Sequence, residues 1–138
     1  QVSGREEMIQ HMINNFSYLV DLVGYIPNGN RTYFKGRSQP PFFACMVQLL
    51  ATMKGVNILI EYLPWLQTEY DFWMNGIEEL NQENTSVNRA VLLPDGSILN
   101  HYWDDNNFPR PEAYREEINL SASSADKKAL YRHLRAAC

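Results

Sequence analysis

The chain has almost no cysteine, only Cys45 and Cys138 in 138 residues. Two isolated thiols give neither a disulfide framework nor the spaced ligands of a zinc site. Cys45 lies in an apolar pattern and is expected to be buried. Histidine is equally sparse: His11, His101 and His133 stand apart in sequence, so no metal is expected. An excess of positive charge is also missing. At a net charge of −4, with Lys and Arg scattered, the composition argues against nucleic-acid and anionic-membrane partners and favours a neutral ligand. No apolar run approaches the roughly 20 residues that cross a bilayer. Internal repeats, low-complexity tracts and linker-like stretches are absent, and the length and 45% apolar content fit one ordinary domain without an internal boundary. Asn15, Asn30, Asn84 and Asn119 head glycosylation-type tripeptides, a pattern too common to carry meaning. The chain opens on Gln1 rather than Met, as an internal segment would. Any signal peptide would lie upstream, so the compartment, periplasmic or cytoplasmic, and the oligomeric state are open.

What is present is helical periodicity. Ser3 and Glu6 have capping-box spacing ahead of Met8, Ile9, Met12, Ile13, Phe16, Leu19, Val20 and Val23, with Gly24 as the stop. A second pattern, Phe42 to Met53, begins after Pro40–Pro41 and ends at Gly55. Leu59, Ile60 and Leu63 predict a short third element, and Pro64 predicts the start of a fourth helix with Trp65, Leu66, Tyr70, Trp73, Ile77 and Leu80 on one face. Turn residues Pro94, Asp95 and Gly96 between two apolar runs predict a β-hairpin over residues 89–103. A short helix from Pro111 to about Asn119 follows. Ser123 or Ser124 would cap a last helix holding Leu130, Tyr131 and Leu134. Helices in series with one hairpin predict an all-α fold, part of a toroid or barrel.

The interruptions carry the chemistry. Residues 27–43 place Asn28, Arg31, Arg37, Ser38 and Gln39 in a long irregular loop between two apolar helices, and long loops in compact domains are often functional. Arg, Asn and Gln offer paired hydrogen bonds in fixed geometry, which suits vicinal hydroxyls. Asn28, Arg37 and Gln39 are the candidates for a polyhydroxylated ligand, with Arg31 read as an organiser of the loop; a plainly solvated loop is the competing reading. A second polar loop carries Asp104, Asp105, Arg110 and Glu112 beside Tyr102 and Trp103. Acid/base work by the adjacent acids is one reading, although acidic pairs in loops are more often solvated or capping. Trp65, Tyr70, Phe72 and Trp73 could stack on a sugar ring, but at helical spacing such residues are more often core.

The run Pro27-Asn28-Gly29-Asn30-Arg31 to Arg37-Ser38-Gln39-Pro40-Pro41 closely resembles the conserved loop of trehalases, the hydrolases that split α,α-trehalose into two glucoses. The resemblance continues in order through Glu69, Tyr70, Phe72 and Trp73, Asp95–Gly96, Tyr102 to Asp105, and Pro109 to Glu112. The Tyr102–Asp105 segment is closer to bacterial than to animal members. The resemblance implies a segment of an (α/α)6 barrel, no cofactor, and trehalose as the small-molecule substrate. It also implies that Asn28, Arg37, Ser38, Gln39, Arg110, Pro111 and Glu112 bind the sugar.

Trehalases invert: a carboxylic acid protonates the glycosidic oxygen while a carboxylate activates water on the opposite ring face. In the family the acid belongs to a Gly-Trp-Asp-Phe-Ser motif just after an Arg-Ala-Ala segment. Here Arg135, Ala136 and Ala137 are followed by Cys138. The base and the upstream Arg-rich motif have no counterpart either. The expectation is therefore a fragment of one catalytic domain, well under half of the barrel, with sugar-binding loops, no catalytic residue and no activity by itself. Phe16, Val20, Phe43, Val47 and Leu50 would face absent barrel helices. The alternatives are a non-catalytic sugar-binding or interaction module, and another (α/α)6 hydrolase acting on a different glucoside.

Overall fold

The computed structural model describes residues 5–137, in the order α1 (Glu6–Val23), α2 (Phe43–Lys54), α3 (Asn57–Met74), β1 (Ser86–Val87), β2 (Ala90–Leu92), β3 (Ile98–Asn100), α4 (Tyr114–Ser121) and α5 (Lys127–Ala137). The fold class is all-α with a small antiparallel sheet, the element content expected of a segment of a helical barrel. Two compact units form: residues up to Ile26 with Gln39–Phe72, and Pro27–Ser38 with Trp73 onward.

The first unit is built on amphipathic faces. Ile13, Ser17 and Val20 form the buried stripe of α1; Phe43, Val47 and Leu50 form that of α2. They pack with Ile26, Ile58 and Tyr62 into one core in which Ile13, Val47 and Leu50 are fully buried. Truncating Phe43 or Leu50 to Ala would cost about 2–5 kcal/mol in lost contacts and residual cavity. This corrects the expectation that Val20, Phe43, Val47 and Leu50 await absent helices: α1 and α2 satisfy one another. The large apolar residues left exposed are others, among them Met8, Tyr18, Leu22, Phe42, Ile60 and Leu63. Cys45 is exposed rather than buried, because two residues past Phe43 it has turned about 200° from the buried stripe.

Both glycine stops appear as expected. Gly24 takes φ +87° and donates its N–H to the Val20 carbonyl at 2.8 Å; the Gly55 N–H donates to Ala51 at 2.8 Å. Ser3 of the expected capping box lies outside the described residues. The third and fourth helices of the sequence reading are one continuous α3, with Pro64 inside it. Its buried residues Ile58, Tyr62 and Glu69 run along one face past the proline, while Ile60 and Pro64 lie on the exposed side. The bond that Pro64 cannot make is therefore lost where water can replace it. Tyr70 is exposed, and Ile77 falls in a 3-10 turn (Ile77–Glu79) beyond the helix, so neither joins the expected face. Trp73 is buried, and Phe72 stacks on Tyr25 with centroids 4.4 Å apart.

In the second unit the expected hairpin is β2–β3, with Val91 opposite Leu99; the turn is closed by Gly96 at φ +85° and by Asp95, whose carboxylate accepts the Ser97 N–H at 2.9 Å. A third strand, β1, was too short to read from sequence; it pairs Ser86 with Val91. Trp73 anchors the sheet, since its carbonyl accepts Asn100 Nδ2 at 2.7 Å and its ring meets Tyr102 edge-on at 5.9 Å. The last helix is capped by Asp126 instead of Ser123 or Ser124: its Oδ1 accepts the Ala129 N–H at 3.0 Å.

Candidate functional site

The first loop is a closed excursion. Pro27 and Ser38 form an antiparallel bridge and the Asn28 N–H donates to the Arg37 carbonyl at 2.8 Å, so both ends of residues 27–38 are tied at one neck. Within it Thr32–Phe34 form a 3-10 turn, an element that the irregular-loop reading did not include. Gly29 allows the Phe34 ring to fold inward, since a Cβ there would lie 2.5 Å from the ring. Twelve residues closed in this way are an Ω-type loop, compact and preorganised.

The second loop is held by two ion pairs. Glu117 of α4, 4% exposed at its side chain, accepts Arg110 Nε and also the Arg110 backbone N–H at 2.9 Å. Arg135 of α5 pairs through Nη1 with Asp104, donates Nε to the Phe108 carbonyl at 2.8 Å and Nη2 to the Pro109 carbonyl at 3.3 Å, and lies 4.7 Å over the Phe108 ring. The other Asp104 oxygen accepts the Asn106 N–H at 2.9 Å and Asn106 Nδ2 at 2.6 Å. Asp104 is thus a buried, fully engaged carboxylate. These bonds give Asp104 the capping role that was the alternative to acid/base work, and Asp105 is the exposed, solvated member of the pair.

The two loops share one cavity of about 160 Å³, lined by Arg37 and Gly36 from the first and by Asp104, Phe108, Arg110, Pro111 and Glu112 from the second, with Arg135 beside them. Complete ligand pockets run roughly 300–1,000 Å³, so this is the size of a subsite. Arg37 Nη2 is buried and has no hydrogen-bond partner among the described residues. An orphaned guanidinium donor is costly unless a ligand or water supplies the acceptor.

Four of the seven sequence candidates, Arg37, Arg110, Pro111 and Glu112, therefore line one cavity. Asn28 and buried Ser38 sit in the neck of the first loop and are not among its lining residues. Gln39 lies in the first unit, its N–H donating to Ile26 at 2.7 Å. Sequence reasoning did not name Glu117, and it noted Arg135 only as the start of the Arg-Ala-Ala segment, without a role at the site. Glu69 is a buried acid elsewhere, on α3 in the first unit. Burial alone raises its pKa from 4.5 to about 7. No metal-binding cluster of His, Cys, Asp and Glu occurs among the described residues.

The trehalase family profile matches residues 1–138. The chain is 51% identical over 137 residues to a periplasmic trehalase of Salmonella paratyphi B and to a putative periplasmic trehalase of Salmonella typhi, and 50% identical to a periplasmic trehalase of Salmonella schwarzengrund. Each alignment covers 98% of this chain and 24% of the relative. The chain thus spans about a quarter of the length of the curated relatives it matches. It belongs to the trehalase family.

Proposed function

From that membership we propose that this sequence serves within an α,α-trehalase, where it supplies part of the sugar-binding surface of a single catalytic domain. The observation that carries the reading is the convergence of Arg37 with Arg110, Pro111 and Glu112 on one cavity, with Arg37 Nη2 lacking an acceptor among the described residues. A sugar hydroxyl is such an acceptor, and a guanidinium fork can span two vicinal ones. The family resemblance alone also proposes Asn28, Ser38 and Gln39 as sugar contacts; none of them lines this cavity. The relatives' names make the periplasm the compartment we assign.

In this reading the residues of this chain bind and orient. Arg37 and Arg110 hold hydroxyls in place, Glu112 accepts from others, and Glu117 holds Arg110 in one rotamer. Fixing the ring removes rotational freedom before the bond breaks. The proton donor for the glycosidic oxygen and the carboxylate that activates water come from outside these residues, and hydrolysis proceeds with inversion. The test is glucose release from trehalose by the full-length polypeptide carrying this sequence, with maltose and cellobiose as controls and the product anomer followed by NMR. One molecule of β-glucose formed per trehalose supports the reading; no hydrolysis of trehalose overturns it.

A further inference from the structure

Arg135 occupies a position that the sugar contacts alone do not explain. It is 5% exposed, and its three nitrogens bond three different residues of the second loop: Asp104, Phe108 and Pro109. The Pro109 carbonyl belongs to the peptide that leads directly into Arg110. On the other side, the first loop passes against the same ion pair at Gly36, where a Cβ would lie 2.8 Å from Asp104 Oδ2 and 3.0 Å from Arg135 Nη1. Gly36 immediately precedes Arg37. One guanidinium therefore abuts both loops one residue ahead of the arginine each presents to the cavity.

We infer that Arg135 is a positioning residue for the sugar site, setting Arg37 and Arg110 relative to one another through Asp104, the Phe108 and Pro109 carbonyls, and the bare backbone of Gly36. The inference rests on the proposed reading that the two arginines bind sugar. A buried ion pair is poor value as a pure stabiliser, because desolvating both charges offsets most of their attraction. Its planar, multi-point fork gives geometry, and a lysine in its place could meet only one or two of these acceptors. The empty space at Gly36 is part of the same device. Any side chain there displaces the carboxylate or the guanidinium and moves Arg37 with it.

The experiment uses the full-length polypeptide, with trehalose kinetics and thermal melts for wild type, Arg135→Lys and Gly36→Ala. Ser121→Ala serves as a purely structural control, since it breaks the buried Ser121–Tyr131 contact of 2.6 Å between α4 and α5. A lesion that only lowers the folded fraction lowers apparent kcat and leaves KM alone, because KM does not depend on how much enzyme is active. Arg135→Lys and Gly36→Ala are expected to raise KM about tenfold or more, the weight of one charge-assisted hydrogen bond. Ser121→Ala should lower the melting temperature with KM unchanged. If Arg135→Lys does not fold, Gly36→Ala decides alone. An active wild type with KM within about twofold in the variants that fold overturns the positioning role and leaves the trehalase reading standing. A wild type that does not hydrolyse trehalose overturns both.

Discussion

Glu117 receives Arg110 twice, through the backbone N–H at 2.9 Å and through side-chain Nε, so one buried carboxylate fixes both the peptide and the guanidinium of the same residue. These two bonds restrain the guanidinium relative to its own peptide. Removing that carboxylate in Glu117→Ala is expected to raise the trehalose KM of the full-length polypeptide by about ten- to a hundredfold, from the roughly 1.5–3 kcal/mol of a hydrogen bond to a charged group. Glu117→Gln, which keeps an acceptor for the backbone N–H, should fall between. Steady-state kinetics of both variants check this; an unchanged KM in Glu117→Ala would mean that Arg110 needs no such support.

Arg37→Ala should reduce turnover of trehalose far more than it reduces stability, because its buried Nη2 has no hydrogen-bond partner among the described residues. Arg37→Lys should restore little, since an ammonium cannot span two vicinal hydroxyls as the fork does. Activity within a few fold of wild type for either variant, at unaltered melting temperature, would remove Arg37 from the site.

Glu112 is exposed at the cavity rim and is expected to contact sugar without acting as acid or base. Azide or formate added to Glu112→Ala should therefore not restore hydrolysis. Strong rescue, with a glycosyl azide among the products, would instead make it a catalytic carboxylate.

Burial of Glu69 gives a pH dependence of stability. Its folded pKa of about 7 lies above the ordinary 4.5, so between these values the folded state holds a proton that the unfolded state has released. Stability is greatest below pH 4.5 as far as this group is concerned, falls as the pH rises toward about 7, and then levels. Glu69→Gln removes the charge that burial disfavours and should flatten this part of the melting-temperature profile. A profile equally steep in the variant would assign the slope to other groups.

Residues 1–138 expressed alone are expected to release no glucose from trehalose and to self-associate. Met8, Tyr18, Leu22, Phe42, Ile60, Leu63 and Tyr70 are each at least half exposed, apolar surface that a second copy could cover. Sedimentation of the purified chain decides: a soluble monomer with a sharp cooperative melt would contradict the packing argument.

The sequence alone determined the features set by local rules. Helical period located α1 and α2, Gly24 and Gly55 ended them, and Pro94-Asp95-Gly96 turned the hairpin, because each is a property of a few neighbouring residues. The polar loops also stood out as breaks in that period, and Arg37, Arg110 and Glu112 could be named from residue type. Only tertiary structure decided the rest. Pro64 reads locally as a helix boundary, yet burial on both sides of it along one face carries α3 through. Phe43 and Val20 look alike as partners for any apolar surface; packing placed both in the one core of the first unit. Asp104 and Arg135 are 31 residues apart, as ordinary as any charged pair until folding places them in contact beside Gly36. Long-range pairing of this kind depends on which surfaces meet, and no window of sequence contains both partners.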